Sequence, residues 1–175
     1  MGFIPEDRHH EGLVLDFTIS QNMVLGDHYK EPFAKKQFIQ FDQIEQYTKD
    51  NIQKFDIRTE HTKTKARSLS GGNQQKIILA REMVKKPTLI IASQPTRGLD
   101  IGAIEYVHNT LVEARNNNQA VLVVSFELEE LIALSDRILV MYDGQIVGEQ
   151  HKGHFNINEI GRMMLGLAGD HNEKN

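Results

Sequence analysis

The sequence predicts an α/β fold, and three observations predict it. After Pro87, short apolar runs at 88–92, 120–124 and 137–142 read as buried strands separated by amphipathic stretches. Ahead of Pro87, residues 18–86 read as mostly helical. Where the two patterns meet stands Leu69-Ser70-Gly71-Gly72-Asn73-Gln74-Gln75-Lys76, directly before an amphipathic run at 77–86. Strand, helix, strand, helix, strand is the rhythm of a parallel sheet covered by helices.

Taken in order, residues 2–5 read as the end of a strand, and Glu6-Asp7-Arg8-His9-His10-Glu11 as the loop after it. Thr18 with Gln21 has capping-box spacing and opens a short helix bearing Ile19, Met23 and Val24. Residues 29–36, with Pro32, form a loop. Asp42 with Glu45 repeats the capping spacing and starts a helix to about Phe55, striped by Ile44, Tyr47, Ile52 and Phe55. A polar connection at 57–67 carries Lys63, Lys65 and Arg67, a basic run expected to be solvated. Asp100 caps a helix with Ile104, Val107, Leu111 and Ala114 on its inner face. Asp143-Gly144 is a two-residue hairpin signal joining the third strand to 145–149. A last helix over 158–167 turns Ile160, Met163, Met164 and Leu167 inward, and the tail from Gly169 is expected to fray.

Bulk composition bounds the function. With 175 residues, 39% hydrophobic and 25% charged, the chain can bury an ordinary core. A formal net charge of −4 argues against nucleic acid as the main partner. Zero cysteines exclude disulfides, thiolate metal sites and a cysteine nucleophile. The charged start lacks a signal-peptide core, and the apolar runs are far too short to span a bilayer.

The 69–76 stretch has the makings of an anion site. Ser70 is a good N-cap, and glycines at 71 and 72 let backbone approach a ligand closely. The N–H groups of the first helical turn lie at the positive end of the helix dipole, where phosphate binds well. A bare Ser-Gly-Gly more often marks a loop; the rest of the chain decides. His9, His10 and Glu11 could suggest a metal, but adjacent histidines point apart on a strand, and no metal site is expected.

The order of motifs resembles the nucleotide-binding domain of ATP-binding cassette (ABC) transporters. LSGGNQQK is similar to the ABC signature, 88–94 falls where the Walker B strand ends, and Gly98-Leu99-Asp100 looks like the D-loop. GFIPEDR, followed by QNMVLG, resembles the second domain of the tandem importers for ribose-type sugars and nucleosides, and SQPTRGLD leans toward the nucleoside branch. The resemblance implies a P-loop NTPase (ABC ATPase) fold that is incomplete: a helical subdomain plus a partial parallel sheet, lacking the Walker A segment. No GxxxxGK[ST] is present, and a P-loop is expected upstream of Met1. It further implies a Q-loop region and core entry at 1–17, a helical subdomain at 18–86, a partial core at 87–150 and a C-terminal helix and tail at 151–175.

Departures from the family pattern carry as much meaning. Where most members place Asp-Glu for Mg²⁺ and for polarising water, this chain has Ser93 and Gln94. An amide is no general base, and losing one typically costs ~10²–10⁴ in rate. Phe126 stands at the switch-histidine position and Glu6 at the Q-loop glutamine. Together these imply a site that has given up hydrolysis in cis. The signature is intact, so Leu69, Ser70, Gly71, Gly72, Asn73 and Gln74 are expected to contact ATP, as MgATP, held by a partner domain paired head to tail. Asp100 is expected at that interface, a plain N-cap being the alternative. A transmembrane permease is the implied second partner, docking around residues 6–30 and holding the chain at the cytoplasmic face of the membrane. A non-catalytic regulatory fragment, a truncated frame, and a DNA-repair or chromosome ABC lobe stay open as alternatives.

Overall fold

The computed structural model describes residues 1–167, in two compact units that divide between Val124 and Ser125. The first unit is built on three parallel strands in the order β1-β4-β5: β1 is Gly2–Ile4, β4 Leu89–Ser93 and β5 Ala120–Val124. The alternation along β4 places Ile90 and Ala92 inward with no exposed surface. Ile4 of β1 is equally buried on the same side.

Helices α1 (Ile19–Met23), α2 (Phe41–Lys54), α3 (Gly71–Met83) and α4 (Ile101–Asn116) complete the unit, with a small hairpin of β2 (Ala34–Lys35) and β3 (Phe38–Ile39). Helix α3 packs on β1, α1 and α4. Ile77, Ile78, Leu79 and Ala80 are consecutive and fully buried, so α3 is a central helix rather than the amphipathic one expected. A satellite cluster of Val24, Phe33 and Ile44, with Tyr47 against it, fastens α2 to the loop before the hairpin.

The second unit is an antiparallel pair, β6 (Arg137–Tyr142) and β7 (Gln145–His151), between α5 (Leu128–Leu134) and α6 (Ile157–Met164) in sequence. Ile138, Val140, Ile160 and Met163 form its core. Asp143 and Gly144, both with positive φ, make the tight turn as the dipeptide predicts.

Several expectations are corrected. The third parallel strand is β1, not 137–142, which pairs only with β7 among the described residues. β5 is an edge, with Leu122 and Val124 about half exposed rather than buried. Thr18 and Gln21 do form the capping box, but α2 starts at Phe41 with Gln40 at the N-cap position, its side chain making no capping bond, so Asp42 sits inside the first turn. The 29–36 loop contains β2. Helix α6 ends at Met164, which with Leu167 is partly exposed. The tail from Gly169 lies outside the described residues.

Candidate functional site: the signature turn and the D-loop

The loop after β1 is not extended. Asp7 accepts from the backbone N–H of His9 (2.9 Å) and His10 (3.1 Å), winding Arg8–Gly12 into one π-helical turn closed by the Leu13 N–H on the Arg8 carbonyl. The His10 imidazole, 2.7 Å from Asp7 Oδ2, is the main reason the Asp7 carboxyl titrates at about 2; the two backbone donors add to it. His9 points elsewhere, its Nε2 lying 2.9 Å from Gln74 Oε1. The two histidines are thus engaged separately.

Ser70, exposed and extended (φ −61°, ψ 155°), is the N-cap of α3 as expected. Its Oγ accepts from Asn73 N–H at 3.4 Å and Asn73 Nδ2 at 3.0 Å. Gly71 is half-buried, and a Cβ there would stand 3.1 Å from an Arg8 guanidinium nitrogen. Gly72 is buried, and its Cβ would meet the Cβ of Ala103 at 2.9 Å. Close helix packing against α4 therefore accounts for Gly72, which no ligand is needed to explain.

The remaining motif side chains face inward. Asn73 Oδ1 accepts from Arg58 N–H at 2.8 Å. Gln74, 5% exposed, donates to the Ala66 carbonyl (3.0 Å) while its other end meets His9. That geometry makes Gln74 a strut under the turn. Gln75 donates to the Pro95 carbonyl (2.8 Å), joining α3 to the segment after β4. Lys76 binds Asp56 twice at 2.7 Å, which holds the Asp56 carboxyl below its usual range, and lies 4.5 Å from the Tyr106 ring centroid. Ser70 alone of the eight is fully exposed, while Leu69, Gly71, Asn73 and Lys76 are half-buried.

The D-loop begins beside this turn. Gly98 takes a left-handed conformation (φ 67°), and Leu99 N–H donates to the Thr96 carbonyl. Asp100 Oδ1 accepts from Ala103 N–H at 2.9 Å, so the plain capping role holds; its Oδ2 would be 3.6 Å from a Cβ on Gly72. Signature and D-loop are thus adjacent helix starts on one unit. Arg97 pairs with Glu6, which gives both exposed residues a partner within the chain.

At the end of β4 the chemistry differs. Ser93 is half-buried in register with Val124, and Gln94 donates its N–H to the Val124 carbonyl at 2.8 Å. Gln94 is left-handed (φ 45°), 8% exposed, and its Nε2 is buried without a hydrogen-bond partner. Ser93 and Gln94 supply neutral oxygens and no carboxylate at this position. Among the described residues no cluster of three or more His, Cys, Asp or Glu is placed to hold a metal. In the second unit Ser125 Oγ accepts from Glu127 N–H, and Phe126 is three-quarters exposed. A cleft of about 430 Å³ lies between α2 and residues 59–63, and the signature does not line it.

Comparison with known proteins adds the family. The ABC transporter family model matches residues 2–97. The nucleoside import ATP-binding protein NupA of Lactococcus lactis subsp. cremoris is 48% identical over 166 residues, 95% of this chain and 33% of that protein. The guanosine import ATP-binding protein NupO of Bacillus subtilis is 46% identical over 166 residues, 95% of this chain and 32% of that one. The chain thus spans about a third of the length of these curated relatives. A dimeric structure of the ATP-binding cassette MJ0796 in a post-hydrolysis state, bound to ADP and Pi, superposes with a TM-score of 0.70 over 88% of this chain and 63% of that one. At 23% identity that likeness speaks to the fold, which is the ABC ATPase type of α/β P-loop NTPase fold. With the matched segment running from β1 through the signature to Arg97, the chain belongs to the ABC transporter family.

Proposed function

We propose that the chain is the C-terminal part of the second nucleotide-binding domain of an ABC importer ATPase for nucleosides, with simple sugars the wider substrate class. Its role is to present the signature in trans to ATP, as MgATP, on the P-loop of a partner domain. The observation that carries this is the division of labour inside 69–76. The side chains of residues 73–76 each have a partner within the chain, while Ser70 at the start of α3 is exposed. N–H groups there have no intrahelical acceptor and suit the oxygens of a terminal phosphate.

Support for the substrate class is the similarity to the nucleoside and guanosine import proteins at 48% and 46% identity. Support for a silent cis site is the donor chemistry of Ser93 and Gln94, which supplies neither a carboxylate ligand nor a base. ATP bound between two domains supplies the phosphoanhydride whose cleavage resets them. This chain's part is to donate hydrogen bonds to the phosphate from Ser70 and the Gly71 turn and to close the site against bulk water. Asp100 borders the same interface. Permease subunits receive the movement and hold the assembly at the cytoplasmic face; no helix among the described residues is long and apolar enough to cross a membrane.

The test is Ser70→Arg in the assembled transporter. A guanidinium at the positive end of α3 occupies the phosphate position, and ATP turnover at the partner's site is expected to be abolished. Unchanged turnover would contradict the reading.

A further inference from the structure

The segment after β1 is tied to both helix starts by neighbouring side chains. Glu6 pairs with Arg97 ahead of the D-loop. Arg8 Nη1 donates to the Arg97 carbonyl at 2.8 Å, and Nη2 lies 3.5 Å from the Gly98 carbonyl. The same Nη2 is the atom that a Cβ on Gly71 would meet at 3.1 Å. His9 reaches Gln74 one turn further into α3.

Arg8 therefore fills the space between the D-loop backbone and the first turn of the signature helix. A cation at a helix N-terminus opposes the dipole, so carbonyl acceptors, not the helix, hold it there. Its Nε is buried without a hydrogen bond, a cost that a freely solvated arginine would not bear. The planar guanidinium can reach two carbonyls while lying flat against a glycine, whereas an ammonium group is a single point of contact.

We propose that Arg8 is a positioning residue for the signature. It clamps the Arg97 and Gly98 carbonyls to the Gly71 turn, so that D-loop and signature move as one body when a partner domain closes on them. Arg8 touches no substrate in this scheme. The importance of the clamp for turnover rests on the trans-signature reading given above; the clamp itself does not.

Two measurements on Arg8→Lys and Arg8→Ala test it. Hydrogen exchange on the full chain without nucleotide should quicken about tenfold at residues 71–73 and 97–99 in both variants, while β4 is unchanged. In the assembled transporter kcat should fall by roughly 10-fold or more with KM for ATP changed less than about threefold, the pattern of lost positioning. Lysine keeps the charge but is expected not to rescue. Unchanged exchange in both variants overturns the clamp, and so does exchange raised throughout the first unit, which would make Arg8 a residue of general stability. If Ser70→Arg abolishes turnover while both Arg8 variants keep the parent kcat, the clamp is overturned and the trans-signature reading stands. If Ser70→Arg leaves turnover intact, that reading fails and exchange alone decides the clamp.

Discussion

The two ends of this cassette core make opposite use of polar side chains. At the signature, Asn73, Gln74, Gln75 and Lys76 each have a distant partner, and Ser70 is left exposed. At the end of β4, Gln94 is buried in a left-handed conformation with its amide nitrogen unpaired. The first arrangement fixes a helix start that can offer N–H donors to an anion. The second offers no carboxylate to hold a metal or to take a proton from water.

Gly72→Ala should give the largest effect among the variants that separate these ends. Its new Cβ would lie 2.9 Å from the Ala103 Cβ, an atom fixed to the α4 backbone, so the helices must part. Thermal or denaturant unfolding should show a loss of about 1–3 kcal/mol. A neutral result would mean that α3 and α4 do not approach so closely. Gly71→Ala should cost less, because the Arg8 guanidinium it meets is the end of a flexible side chain.

Gln94→Ala probes the other end and should do little. The amide it removes makes no hydrogen bond through Nε2, so turnover in the assembled transporter should stay within about 0.5 kcal/mol, roughly twofold. A drop of about 10² would give Gln94 a role in chemistry and erase the contrast.

The smallest effect concerns the turn that carries Arg8. The Asp7 carboxyl should titrate at about 2, chiefly because His10 hydrogen-bonds it. A depressed carboxylate stabilises the folded form above its unfolded pKa, near 3.8, and that contribution is lost as pH falls through about 2. The π-helical turn should therefore loosen only in that acid window. His10→Ala should move the midpoint upward; a carbon-detected NMR titration giving the ordinary value in the parent chain would refute the pairing.

How much of this could be read from the sequence depends on distance along the chain. Ser70, Asp100 and the Thr18–Gln21 box were legible because a cap and the N–H that donates to it lie within three residues. Asp143-Gly144 was legible for the same reason. The sheet order was not: β1 is three residues long, and its pairing with β4 spans the whole helical stretch, which no local pattern reports. Asp42 had the right spacing for a cap but lies one residue inside the helix. Partners of the motif side chains were also hidden, since Gln74 meets His9 and Gln75 meets Pro95 across long separations. One signal was available. Four polar residues in a row, at 73–76, on a helix that is then buried at 77–80 imply that the polar side chains have protein partners.

In the proposed function the working site is the one completed by Ser70, and the site ending in Ser93 and Gln94 is silent. Trapping ADP with orthovanadate in the assembled transporter, followed by assignment of the trapped nucleotide to one site or the other, tests it most directly. Trapping is expected only in the partner's P-loop site that faces Ser70; equal trapping at both sites would overturn the proposed function.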